Sequence, residues 1–286
     1  MSSLEVRAQS RVAGPPAALV SRALEVAGRL ANDAAEVITA TAGRGAGAGT
    51  KTSPFDWVTD TDRTLERHTR RVLATDFPDI PVLGEEFGGP AGLAMPWQPG
   101  GPEMLWVVDP VDGTSNYVAG LPWCGYSLGL VDAHGPVVGV IADPYQAQIY
   151  AAARGRGLRA NGRPVVARPD SISESSALAG ALVLTEPPLV ECAPLLRLIQ
   201  RCPTKHAGVR VLGSSALAVT QVALGRAAAA VLFRYAPWDV AGALALAVEA
   251  GMAVTDLHGT AHSFPSDGLI VATPRAVPEV LDLLAA

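Results

Sequence analysis

The texture of this chain changes near its middle, and that change limits the folds open to it. From Gly125 to about Val166, apolar runs at 126–132, 136–142 and 148–153 are separated by turns such as Ala133-His134-Gly135. That spacing predicts a meander of antiparallel strands. After Pro169, apolar strands at 179–184, 209–212, 229–233, 253–256 and 269–271 alternate with helical stretches at 189–201, 215–224, 240–250 and 278–284. Alternation of that kind predicts an α/β half. The chain therefore reads as an α+β half (16–168) followed by an α/β half (169–286), with the junction near 165–175 and no internal repeat.

Upstream of the meander, residues 1–15 read as a flexible lead. From about 16 to 40, Leu19, Ala23, Leu24, Ala27, Leu30, Ala34, Val37 and Ile38 fall on one broad helical face. Gly/Ala-rich residues 43–49 form a loop. Asp60 and Asp62 open a second helix, either acid serving as its N-cap, and Phe77-Pro78 stops it after about Thr75. A short strand at 80–83 leads into Gly84-Glu85-Glu86, residues 88–103 form a surface loop, and 105–108 is the next strand.

With 286 residues, 49% hydrophobic and 17% charged, the chain is globular and long enough for a full core. Its net charge of -5 and the absence of a dense basic run argue against nucleic acid as a partner. The nearest basic run, Arg63 to Arg71, alternates with Glu and His as an exposed helix face would. No apolar run approaches a membrane span, and the N-terminus lacks a signal-peptide pattern. Three cysteines (Cys124, Cys192 and Cys202) without metal spacing suit a reducing cytoplasm. The five histidines (68, 134, 206, 258 and 262) fall in charged or turn-like segments, as surface residues do.

The chemistry concentrates in Trp106-Val107-Val108-Asp109-Pro110-Val111-Asp112-Gly113-Thr114-Ser115-Asn116. This reads as a buried strand ending in two carboxylates around a proline turn, then a short helix whose start can hold an anion. Two acids at the end of a buried strand repel one another and raise each other's pKa, a cost that a divalent cation relieves. Further carboxylates stand at Asp56, Asp60 and Asp62, at Glu85-Glu86, and at Asp239, after which a helix over 240–250 begins. An oxygen-only set without a His or Cys cluster favours Mg²⁺ over Zn²⁺. A pair of acids would also suit a glycosidase, but acids beside a helix-start anion site point to phosphate.

Together these motifs resemble the inositol monophosphatase family of Mg²⁺-dependent, lithium-sensitive sugar-phosphate phosphatases. The resemblance covers roughly residues 16–286. It rests on Asp109-Pro110-Val111-Asp112-Gly113-Thr114-Ser115-Asn116 and, in order along the chain, on Lys51, Asp56, Thr59-Asp60-Thr61-Asp62, Gly84-Glu85-Glu86, Gly213-Ser214-Ser215 and Trp238-Asp239-Val240-Ala241-Gly242. It implies a layered α-β-α-β-α sandwich and a homodimer. It also implies hydrolysis of a small phosphorylated metabolite, such as inositol 1-phosphate, by a metal-activated water.

By the same resemblance, Glu85, Asp109 and the Val111 carbonyl would hold one Mg²⁺. Asp109, Asp112 and Asp239 would hold a second, and a third, weaker ion would lie near Glu85. Thr114 would hydrogen-bond Asp62, and the pair would orient and deprotonate the water. Gly113, Thr114, Ser115, Gly213, Ser214, Ser215 and Arg234 would line the substrate side. The chain departs from the pattern before Trp238: inositol-preferring members carry a sugar-binding glutamate there, whereas residues 231–237 contain no acid. Arg234 in that segment reads either as a partner for a second anionic group or as a solvated loop residue. Histidinol phosphate, fructose 1,6-bisphosphate and adenosine 3′,5′-bisphosphate are alternative substrates, and a non-catalytic regulatory member is the alternative from another class.

Overall fold

In the computed structural model, which describes residues 14–44, 47–51, 57–165, 176–186 and 192–285, the chain begins with a long amphipathic helix. Most of the expected N-terminal lead, most of the junction at 165–175, and Asp56 lie outside these residues. Helix α1 (Ala17–Thr41) buries Val20, Ala23, Ala27, Leu30, Ala34 and Ile38 on one face. Two short strands, β1 (Gly49–Thr50) and β2 (Trp57–Val58), pair antiparallel ahead of helix α2 (Asp60–Asp76).

Seven strands form the first large sheet. These are β3 (Val82–Gly84), β4 (Met104–Asp112), β5 (Gly125–Asp132), β6 (Gly135–Asp143), β7 (Gln148–Ala153), β8 (Leu158–Ala160) and β9 (Arg163–Pro164), side by side in that order. Only β3 and β4 pair parallel. The meander from β5 to β7 stands where the alternation predicts it. Helix α3 (Thr114–Ala119) links β4 to β5.

The second sheet contains β10 (Leu182–Glu186), β11 (Gly208–Val211), β12 (Ala229–Leu232), β13 (Ala253–Thr255) and β14 (Leu269–Ala272), in the order β11-β10-β12-β14-β13. Helices α4 (Ala193–Arg201), α5 (Ser215–Ala223), α6 (Pro237–Glu249) and α7 (Val277–Leu284) alternate with its strands. The sheet is mixed: β10 runs parallel to β11 and β12, but β14 is antiparallel to both β12 and β13.

Side-chain alternation explains the layers. Along β4, Trp106 and Val108 face the core under α1 and α2, while Leu105 and Val107 face the core around α5 and α6. Along β12, Ala230 and Leu232 face that same central core, while Ala229 and Val231 face α4 and α7. A sheet covered on both sides reads as a continuous apolar run. The result is an α-β-α-β-α sandwich with α5 and α6 as the middle layer. Helix α6 is buried from Val240 to Ala247, which explains its nearly unbroken apolar sequence.

Three sequence expectations need correction. The strand expected at 105–108 continues to Asp112, and the expected proline turn is a bulge: Asp109 pairs with Ser127 and Asp112 with Gly125, three steps against two. Pro110 donates no ladder hydrogen bond, so the bulge accommodates it. The N-cap of α2 is Thr59, not Asp60 or Asp62. The run from Arg63 to Arg71 is not wholly exposed, because Glu66 is fully buried. Among the described residues, no helix is long and apolar enough to cross a membrane.

Candidate active site

The acids singled out in the sequence gather where several elements begin or end. Asp109 and Asp112 close β4, and both are buried. The Val111 amide donates to Asp109 Oδ1 at 3.0 Å, so the bulge itself fixes that carboxylate. Gly113 follows with φ +89 and N-caps α3. A Cβ there would stand 2.8 Å from the Gly213 carbonyl, so glycine is required by both conformation and contact.

Asp62 enters from the first turn of α2. Thr59 and Asp62 form a capping box: the Thr59 amide donates to Asp62 Oδ2 at 2.9 Å, and the Thr59 hydroxyl also donates to that oxygen. Thr114 Oγ1 lies 3.4 Å from Asp62 Oδ1 and 2.9 Å from the Val111 carbonyl. A hydroxyl carries one proton, so the closer carbonyl is its main acceptor and the Asp62 contact is the longer one.

Glu85 sits in the turn after β3, held by residues the sequence reading passed over. Glu66 accepts from the Glu86 amide at 2.7 Å and the Phe87 amide at 3.2 Å. Arg70 donates to Glu66 at 2.8 Å and reaches the carbonyls of Val82 and Gly88. Burying Glu66 is tolerable because every bond it accepts is matched by a donor. Lys51 Nζ lies 2.8 Å from Glu85 and 2.6 Å from Glu86, a cation already seated at this acid pair.

The second half supplies the other wall. Ser214 N-caps α5 and donates to Asp112 Oδ2 at 2.5 Å, and the Ala216 amide donates to the same oxygen at 2.7 Å. Ser214 is therefore buried and spent on Asp112, rather than free on the substrate side. Ser214→Ala is expected to lower stability by about 1–2 kcal/mol in urea unfolding, since a cap and a buried acceptor's partner are lost together. No change beyond a few tenths would contradict this role. Asp239 lies in the first turn of α6, which starts at Pro237 rather than near Val240 because proline suits a first helical turn. Its Oδ2 accepts from the Ala236 amide at 2.7 Å.

Two further residues were missed by sequence reasoning. Asn116 Nδ2 donates to the carbonyls of Trp123 at 2.8 Å and Leu212 at 2.7 Å, tying α3 to the second half. Its place in the motif was the available signal. Glu186, at the end of β10, accepts from the Gly213 amide at 2.8 Å and so braces the turn that carries Ser214. Burial, then Asp112, pushes its pKa up to about 7. Only its place at a strand end could have marked it.

Of the other expected residues, Ser215 also donates its amide to Asp112, whereas Arg234 stands apart. Ser115 is exposed at the start of α3, and Ser215 is partly buried at the start of α5. Arg234 is exposed and lines a cavity that no acid of the cluster borders.

Burial dominates the electrostatics, and neighbouring carboxylates add to it. The pKa of Asp109 is pushed up by burial and then by Glu85, Asp112 and Asp239. Burial and Asp112 raise that of Asp239 to about 8. Burial raises that of Asp62 to about 6 against the Thr59 donors. No group of three or more His, Cys, Asp or Glu among the described residues is pre-assembled as a metal cage. The donor set nonetheless fits a hard divalent cation. It is oxygen-only, neighbouring carboxylates help raise the pKa values of Asp109, Asp112 and Asp239, and Lys51 already places positive charge against Glu85.

Five layers with this end-of-element acid cluster make up the sugar-phosphatase type of sandwich. The sequence model of the inositol monophosphatase family matches residues 20–285. Inositol-1-monophosphatase ImpA of Mycolicibacterium smegmatis is 31% identical over 277 residues, covering 93% of this chain and 92% of its own. Nus factor SuhB of Pasteurella multocida is 32% identical over 238 residues, covering 80% of this chain and 83% of its own. Among solved structures, the Thermotoga maritima IMPase aligns with a TM-score of 0.80 at 28% identity, over 92% of this chain and 96% of that one. The chain belongs to the inositol monophosphatase family.

Proposed function

We propose that the protein is a Mg²⁺-dependent phosphomonoesterase acting on a small phosphorylated metabolite, inositol 1-phosphate or a related polyol or sugar phosphate. The observation that carries this reading is the meeting of Asp62, Glu85, Asp109, Asp112 and Asp239 beside the glycine-opened start of α3. Glu85, Asp109 and the Val111 carbonyl would hold one ion, and Asp109, Asp112 and Asp239 a second. When bound, Mg²⁺ offsets the charge of the phosphate and makes water a stronger acid.

The chain's own groups complete the chemistry. The backbone amides of Gly113 and Thr114 donate to the phosphate oxygens, since the first amides of a helix have no partner within it. Asp62 is mostly ionised at neutral pH and accepts the proton of the attacking water, with Thr114 orienting the pair. Water adds to phosphorus, the ester oxygen leaves and takes a proton, and the products are an alcohol and inorganic phosphate. Absence of an acid in 231–237 favours a broad or non-inositol substrate range.

A second reading, a regulatory member without turnover, is favoured by the relatives named Nus factor SuhB. Against it stands the complete acid set. A phosphate-release screen over some tens of metabolite phosphates, with and without Mg²⁺ and Li⁺, separates the two. Mg²⁺-dependent release is expected. No release across the panel, with Mg²⁺ binding confirmed by calorimetry, would overturn the enzyme reading. The homodimer belongs to the same proposal and is read by light scattering.

A further inference from the structure

Between the outer helices and the end of β12 lies a cavity of about 870 Å³, within the range of small-molecule sites. Phe233, Leu257, Leu281 and Leu284 make its walls apolar, and Arg197 of α4 and Arg234 of the loop after β12 reach it from two elements. Neither guanidinium has an ion pair or a side-chain hydrogen bond among the described residues. Elsewhere, Arg70, Arg154, Arg156 and Arg226 are each bonded to named partners. Among the described residues, the one carboxylate on the lining, Asp267, takes a long contact of 3.5 Å from Ser266. Two exposed arginines against one carboxylate among the described lining residues make this cavity positive in a protein whose net charge is -5.

We propose that this cavity is a second binding site, separate from the acid cluster, for a small amphipathic anion: a carboxylate or phosphate head on an apolar or aromatic body. Guanidinium groups match such heads in planar, paired geometry, and the four apolar walls match the body. No acid of the cluster lines the cavity, and that cluster, free of metal, repels anions. The two sites thus differ in what they accept.

The test is calorimetry with 2-naphthoate as the probe, on the full chain in EDTA. One saturable site per chain is expected. Arg197→Ala and Arg234→Ala should each weaken it at least tenfold, while Arg163→Ala, an exposed arginine outside the cavity, should not. The neutral analogue 2-naphthamide should bind at least tenfold more weakly than 2-naphthoate. Circular dichroism melts that match the native protein keep the variants interpretable. Absence of binding up to millimolar probe, equal affinity in the Arg197→Ala and Arg234→Ala variants, or equal affinity for the neutral analogue would each overturn the proposal.

Discussion

Asp109→Asn is expected to abolish Mg²⁺-dependent phosphate release while making the metal-free protein more stable. Asparagine keeps the shape and the oxygen that accepts from the Val111 amide, so the bulge at the end of β4 survives. It removes one of the charges that burial, Glu85, Asp112 and Asp239 make costly. Loss of one preorganised charge-stabilising group costs about 10²–10³ in rate, and Asp109 is assigned to both ion sites, so a larger loss is expected.

The pH dependence has a defined sign. Folding raises the pKa values of Asp109, Asp112 and Asp239 above the unfolded value of about 4. Their contribution to stability is then greatest below that pH and is lost as pH rises toward about 8, the value for Asp239. Melts in EDTA should therefore fall from pH 5 to pH 8, less steeply in Asp109→Asn, and added Mg²⁺ should restore the native protein more than the variant. Full phosphate release by the variant would remove Asp109 from the mechanism. Identical pH slopes would show that the acids do not strain the metal-free fold.

Gly139→Ala is expected to cost about 3 kcal/mol in urea unfolding, the upper part of the range for overpacked cores. A Cβ at Gly139 would stand 2.0 Å from the Gly242 carbonyl and 2.6 Å from the Ala245 Cβ, so β6 or α6 must move bodily. Gly129 on β5 is also tight, though less so, at 2.8 Å from the carbonyl carbon of Ala241. These glycines let α6 lie close against the sheet and thereby place Asp239 opposite Asp112. The variant should lose Mg²⁺ affinity as well as stability. A change below 1 kcal/mol would mean that the middle layer is looser than its contacts indicate.

Much of the fold was legible because buried sheets leave unbroken apolar runs, and the strands at 126–132, 136–142 and 148–153 stand within a residue of their expected ends. The site's acids were legible because carboxylates beside apolar strands are costly and therefore conspicuous. Illegible features depend on contacts between distant residues. Nothing local distinguishes Glu66 from its exposed neighbours until the Glu86 and Phe87 amides arrive from 20 and 21 residues away. Ser214 reads from its motif as a substrate-side residue, and its duty toward Asp112 spans 102 residues. The antiparallel place of β14 follows from how β13 and β14 fit the sheet edge, which alternation of strand and helix does not encode.

The seam stitched by Asn116, Ser214 and Ala216 has a consequence for synthesis on the ribosome. A nascent chain that has emerged only through β9 already contains Asp62, Glu85, Asp109 and Asp112. It has no donors for Asp112 Oδ2 and no α6 to cover the inner face of its sheet. Until residues 214–249 have emerged and docked, that half presents repelling acids beside an uncovered apolar surface. Completion of the site and closure of the core are therefore a single late event, and an assembled acid cluster certifies that the chain is in place through α6.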